Sequence, residues 1–378
     1  MTGVDVLVAA YDAGGAAAVA PVLRGIRQGP RWSIATIAGG PAREILADVG
    51  GVVVPWDASS AESLSSFVST QLRTCQPRLV LTGTSLQSGL ERTVIRTARR
   101  AHIPTLAILD SWANYAARFK EPDDDALRDC DLPDAIGVMD DLAAAEMAKE
   151  GFPPNRVRII GHPDIDDFVR WVRSREAVEA ARVARASLGV ADGSPLIVYF
   201  SQPIAAIDAA RSPADARGYD EQDAWGAFAD AVERLGRPLT IAVKSHPADS
   251  IGRMSYPSAI GRANVRLVTG DSVHVLIAAA DVAVGMTSIA LVKAWLAGRP
   301  VVSIQPALRG PDLLVLGRMG LLKPVVDAAA LPAALQETLD GHVTPDAARL
   351  PSTWTDGRAS DRAIALMREA LAHPSART

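Results

Sequence analysis

Short unbroken apolar runs alternate along this chain with segments whose apolar residues recur at helical spacing. In the first half the runs are 4–10, 33–37, 52–54, 79–81, 105–109, 135–138 and 157–160. Helical spacing occupies 16–28, 61–74, 87–102 and 141–151 between them. Apolar runs of this kind, separated by helices, predict parallel strands buried on both faces. Repeated strand–helix–strand units predict a doubly wound layer. The pattern breaks near Ile165. Residues 166–188 are rich in Arg, Asp and Glu at helical spacing, and a turn cluster follows from Gly189 to Pro195. The alternation then resumes with runs 196–200, 239–243, 265–268, 282–284 and 301–304, and a last helix covers 357–372.

The expected fold class is therefore α/β, two Rossmann-like domains whose parallel sheets face a central cleft. The expected domains are 1–165, a linker region 166–194, a second domain 195–356, and a C-terminal segment 357–378 packing back on the first domain. A length of 378 residues suits two such domains. Ligands in open parallel sheets lie beyond the carboxyl ends of the strands. Candidate chemistry is therefore sought there.

Composition narrows the classes. Apolar residues make up 48% and charged residues 22%, with a formal charge of −4. That balance gives no electrostatic case for nucleic acid or an anionic membrane as partner. Residues 275–292 are apolar except for Asp281, yet Asp281 and Gly285 divide them into helix, strand and helix, so no membrane span is expected. Cys75 and Cys130 read as free thiols, and a cytoplasmic location is expected. No His, Cys and acid spacing resembles a metal cage, and Asp123-Asp124-Asp125 reads as a solvated loop.

Six strand-end segments carry candidate chemistry. Asp12, Gly14 and Gly15 follow the first strand, where a glycine pair lets backbone approach a ligand. Thr84, in Thr82-Gly83-Thr84-Ser85, is placed to cap a helix or touch a ligand. Asp110 ends the fifth strand, and a partly desolvated carboxylate there suits a general base. Trp112 and Tyr115 offer flat faces for a sugar. His162, in Gly161-His162-Pro163-Asp164, either turns the chain or contacts ligand. Lys244 and His246, in Lys244-Ser245-His246-Pro247, suit a departing phosphate. Finally, Gly285, Thr287 and Ser288 open a helix whose N-terminus suits a phosphate. The loop 202–220 is a candidate lid, with Arg211 or Arg217 reaching the ligand.

On these residues the chain resembles the two-domain glycosyltransferase superfamily called GT-B. Bacterial sialyltransferases, capsule sugar transferases and CDP-glycerol glycerophosphotransferases carry a His-Pro motif similar to His246-Pro247 and a Ser/Thr motif similar to Thr287-Ser288. Both contact donor phosphate in those enzymes, and Asp110 is the counterpart of their N-terminal acid. The hydrolysing UDP-N-acetylglucosamine 2-epimerases form a second relative. Their Gly-Asp-Thr segment resembles Thr82-Gly83-Thr84, with Gly83 at the acid. Asp110 corresponds to their next Glu, and Gly161-His162-Pro163-Asp164 resembles their Thr-Gly-Asn stretch. Their His-Arg-Arg-Glu-Asn segment would fall at Ser201-Gln202-Pro203, where no histidine stands. Lys293 sits close to a ribose-binding Glu of many relatives, and an ammonium cannot accept hydrogen bonds from hydroxyls.

The resemblance implies a metal-independent glycosyltransferase moving a sugar or related group from a nucleotide-activated donor to an acceptor hydroxyl. A hydrolysing nucleotide-sugar 2-epimerase-like enzyme and a non-catalytic nucleotide-sugar binder are the alternatives. Asp110 and His246 are the expected catalytic pair. Lys244, Gly285, Thr287, Ser288, Lys293, Gly14 and Gly15 are expected to hold the nucleotide. Asp12, Thr84, Trp112, Tyr115 and His162 are expected at the substrate. The expected partners are the nucleotide-sugar donor and a small-molecule or glycan acceptor, without a separate cofactor. A homodimer stays open.

Overall fold

The computed structural model describes residues 3–57, 62–86, 88–121, 124, 126–208, 216–246, 254–269 and 272–372. The chain divides into two compact units, one of residues 1–167 and 351–378, the other of residues 168–350.

Unit 1 holds seven strands: β1 Val6–Ala10, β2 Ile34–Ala38, β3 Val52–Pro55, β4 Leu79–Thr82, β5 Thr105–Ile108, β6 Ala135–Val138 and β7 Val157–Ile159. Their order is β3-β2-β1-β4-β5-β6-β7, with every pair parallel. The order reverses between β1 and β4, so a crevice opens there at the carboxyl ends. β1, β4 and β5 are buried along their whole length. Their apolar residues serve two cores. Val6, Val8, Leu79 and Leu81 face the helix Ala13–Gln28 and the final helix Ala359–Ala372. Leu7, Ala9 and Val80 face the opposite layer with Leu72, Leu90 and Val94. Pairwise alternation of this kind explains why these strands read as continuous apolar runs.

Unit 2 holds β8 Leu196–Phe200, β9 Leu239–Lys244, β10 Ala259–Ile260, β11 Ala263–Val268, β12 Val282–Gly285 and β13 Val301–Ser303. Their order is β10-β11-β9-β8-β12-β13. β10 pairs antiparallel and the other pairs are parallel. Here the reversal lies between β8 and β12. β10 is too short to stand out from the polar turns around it, and the apolar pattern gave no sign of it.

The segment expected as a linker is helical. Pro163–Val172 spans the unit boundary, and Arg175–Ser187 packs on Val273–Ala279 inside unit 2. Residues 351–356 belong to unit 1, six positions earlier than the spacing indicated. Asp166, 4% exposed, accepts the Gly357 and Ala359 N–H groups and caps the final helix. Residues 275–292 form helix Val273–Ala279, strand β12 and the start of helix Ile289–Leu296. No helix among the described residues is long and apolar enough to cross a membrane.

Candidate functional site

In unit 1, β1 runs through Tyr11 and Asp12 into the helix Ala13–Gln28. A Cβ on Gly15 would lie 2.5 Å from the Thr84 carbonyl oxygen, and one on Gly83 would lie 2.7 Å from the Gly15 carbonyl carbon. The two glycines therefore let the first turn of that helix cross the loop after β4. Thr84 is thereby set beside Asp110 at the end of β5. Its hydroxyl donates to Asp110 Oδ1 at 2.6 Å. Arg118 Nη1 donates to the same oxygen at 2.6 Å and to Thr84 Oγ1 at 3.1 Å. Asp110 Oδ2 lies against Gly14, where any Cβ would collide with it.

Arg118 is 6% exposed. The turn that brings it back passes through Asn114 at φ 59°, a conformation Asn tolerates. Sequence reasoning assigned Arg118 no role. The available signal was its spacing, eight residues beyond a strand-end acid, and spacing alone does not reveal a turn.

His162 is buried, with Nε2 3.2 Å from the main-chain oxygen of Asp110. It stacks on Trp112 at 5.7 Å. It therefore supports the Asp110 loop from behind. Trp112 and Tyr115 also depart from expectation. Both are buried. Trp112 Nε1 donates to Asp140 Oδ2 at 2.7 Å, as does Trp354 Nε1. The Tyr115 hydroxyl donates to Glu146 at 2.6 Å. Both rings are part of the core and present no face to a sugar. Asp12 turns its Oδ2 to the Leu86 N–H at 3.0 Å and does not cap the helix it precedes.

One further carboxyl lies under this crevice. Glu91 is 2% exposed and accepts the Tyr11 N–H at 2.8 Å through Oε1. Burial pushes its pKa up to about 8, and the nearby Asp12 charge adds to the rise.

Unit 2 presents a different chemistry. β12 ends in Gly285-Met286-Thr287-Ser288 before the helix Ile289–Leu296. Ser288 caps this helix by accepting the Ala290 N–H at 3.2 Å. Ser303 donates to the Met286 carbonyl at 2.7 Å, and Ile304 N–H donates to the Gly285 carbonyl at 2.8 Å, which holds the loop from below. Across the strand-order reversal, Gln202 follows β8. Its Oε1 accepts the Thr287 N–H at 2.7 Å, and its Nε2 lies 3.5 Å from Thr287 Oγ1. At the end of β9, Lys244 is half-buried with Nζ 3.5 Å from the Thr269 carbonyl, and His246 is exposed. Pro247 lies outside the described residues.

Lys293 does not join this group. It is 5% exposed, with Nζ 2.8 Å from His274 Nε2 and 5.7 Å above the Phe168 ring. In the proposed lid, Arg211 lies outside the described residues, while Arg217 is buried and ion-paired with Asp208 at 3.1 Å. Among the described residues no group of three or more His, Cys, Asp and Glu could hold a metal ion. Asp123 and Asp125 are outside that set.

Two doubly wound α/β units, each with polar residues gathered where its strand order reverses, define the GT-B fold. No protein-family model and no curated protein sequence matches the chain. Solved structures do. UDP-GlcNAc 2-epimerase from Neisseria meningitidis, bound to UDP-GlcNAc, is similar with a TM-score of 0.67 at 13% identity, covering 97% of this chain and 100% of that one. UDP-GlcNAc 2-epimerase from Methanocaldococcus jannaschii is similar with a TM-score of 0.68 at 10% identity, covering 97% and 99%. Anabaena Alr3699/HepE, in complex with UDP and glucose, is similar with a TM-score of 0.58 at 13% identity, covering 97% and 100%.

Proposed function

We propose that this chain is an enzyme that binds a nucleotide sugar and breaks the bond between its anomeric carbon and the diphosphate. The carrying observation is the contrast between the two strand-order reversals. In unit 1 that place is lined by the carboxylates Asp12 and Asp110. In unit 2 it is lined by the Thr287 N–H, the Thr287 and Ser288 hydroxyls and a helix N-terminus, with Lys244 and His246 at the end of β9. Phosphate belongs with N–H donors and cations. Hydroxyl-rich sugar and proton transfer belong with carboxylates. The nucleotides bound in the similar structures support the same reading.

Charge that develops on the departing diphosphate is stabilised by the Thr287 amide, Lys244, His246 and the helix dipole. Asp110 is held by Arg118 and Thr84 through one oxygen, which leaves Oδ2 for the sugar. Arg118 therefore orients the carboxylate. Gly14 leaves room for it.

Hydrolysing 2-epimerase-like chemistry is the leading reading, because the epimerase structures match with TM-scores of 0.67 and 0.68, against 0.58 for HepE. Glycosyl transfer is the second. It is favoured by Ser201-Gln202-Pro203, which stands where the epimerases carry a histidine.

One experiment separates the readings. The protein is incubated with UDP-GlcNAc, and with other common nucleotide sugars, in the absence of acceptor. Release of nucleotide with a sugar inverted at C2, followed by NMR, is the expected result. Nucleotide release that requires an added acceptor supports transfer instead. Binding without turnover under all these conditions rejects an enzyme.

A further inference from the structure

We infer that Gln202 is a placeholder for a phosphate oxygen, exchanged off the Thr287 N–H each time the diphosphate binds and restored when it leaves. The inference rests on the reading that unit 2 holds the diphosphate, and it assigns the residue that tunes the grip.

The geometry has three parts. First, an amide N–H can only donate, so the Gln202 side chain must present its oxygen to Thr287. The 2.7 Å contact occupies the Thr287 N–H, a main-chain donor at the tip of the loop. A phosphate oxygen that takes this N–H displaces that carbonyl oxygen. Second, the main chain on both sides is pinned. The Met286–Ser288 loop is held by Ser303, Ile304 N–H and the Ser288 cap. The Gln202 side is held by Ser201 N–H to the Lys244 carbonyl at 3.0 Å and Ile204 N–H to the Gln202 carbonyl at 2.9 Å. Three residues beyond Gln202, Ala205 N–H donates to the buried Glu221 at 2.8 Å. The exchange is therefore a side-chain rotation and needs no rearrangement of the loop. Third, Gln202 is half-buried, so its side chain has room on the solvent side to rotate.

A neutral amide satisfies the donor without adding charge, so an arriving phosphate meets competition but no repulsion. The competition is of the size of one net hydrogen bond. Removing it should tighten diphosphate binding about two- to tenfold. The slower step in the variant should be nucleotide release, because the side chain that replaces the leaving oxygen is gone.

The test is isothermal titration of UDP, CDP, GDP and dTDP, each beside its nucleoside, into the full chain and its Gln202→Ala and Gln202→Glu variants. Thermal unfolding is recorded in parallel. Gln202→Ala is expected to bind a diphosphate more tightly than the parent while nucleoside affinity stays the same. Gln202→Glu keeps the acceptor but adds a negative charge, and is expected to lose diphosphate affinity only. Equal or weaker diphosphate binding by Gln202→Ala overturns the placeholder role, and weaker binding with a lower Tm assigns the residue to loop support. If the parent binds none of the diphosphates, the reading of unit 2 fails and the inference falls with it. If the parent binds and Gln202→Ala does not tighten, the inference alone fails.

Discussion

Gly15 admits no side chain, because a Cβ there would meet the Thr84 carbonyl oxygen at 2.5 Å and its amide nitrogen at 2.8 Å. Both are main-chain atoms two residues beyond β4, so neither yields cheaply. Gly15→Ala should cost roughly 1–3 kcal/mol in denaturant unfolding through overpacking. At Gly14 the obstacle is the Asp110 carboxylate. Gly14→Ala should therefore displace Asp110 and lower turnover with a smaller loss of stability, and equal stability losses in the two variants would contradict this. Glu91 gives a pH signature. Its carboxyl ionises near pH 4.5 when unfolded and near pH 8 when folded. Below pH 4.5 both states are protonated and there is no penalty. Between pH 4.5 and 8 the unfolded chain has released the proton while the folded chain has kept it. Stability therefore falls across that window, by roughly 1.4 kcal/mol per pH unit from this group. Glu91→Gln keeps the acceptor for Tyr11 N–H and removes the titration. It should be more stable than the parent at pH 7–8 and flatten the slope in pH-resolved guanidinium unfolding.

At the scale of elements, helix starts depend on side chains that accept their first N–H groups. Ser288 caps Ile289–Leu296, and Asp166 caps Ala359–Ala372 by accepting two N–H groups. Asp166 is buried, so its removal leaves the Gly357 and Ala359 N–H groups without this acceptor. Asp166→Ala should destabilise unit 1 by about 1–3 kcal/mol, loosening the final helix first. Hydrogen exchange over residues 359–372 would show this as early loss of protection. Unchanged protection there would mean that the apolar contacts of Ala363, Ile364 and Met367 alone hold the helix.

At the scale of the molecule, unit 2 is one continuous stretch, while unit 1 is closed by residues 351–378 returning to it. A ligand held by unit 2 stabilises the state that binds it, by about 2.7 kcal/mol at one hundred times Kd. With a nucleotide diphosphate at that excess, hydrogen-exchange protection should rise at the ends of β8, β9 and β12. Protection that rose only within β1–β7 would place the phosphate in the wrong unit. The parallel layers, the break near residue 165 and the strand ends were legible because burial on both faces forces unbroken apolar runs. Boundaries moved by a few residues, as at the helix Ala13–Gln28, which starts three residues before the apolar spacing does. The turn after β12 was legible as well, because small residues between an apolar run and a helical pattern mark it, whereas the Gln202 oxygen on its Thr287 N–H was not.

The sequence alone therefore determined the alternation of strands and helices, and with it the strand ends at which Asp110, Lys244, His246 and Thr287 stand. These follow from local periodicity and turn chemistry, which involve neighbours in the chain. Tertiary structure decided what each of those side chains meets. Trp112 and Tyr115 went into the core because Asp140 and Glu146, just before and on the helix Asp141–Lys149 respectively, accept their polar atoms. Lys293 turned to His274 because the helix Val273–Ala279 lies beside its own. Arg118 reached Asp110, and Gln202 reached Thr287, across separations of 8 and 85 residues. Which partner a long polar side chain finds is settled by strand order and packing, and no periodicity in the chain encodes that.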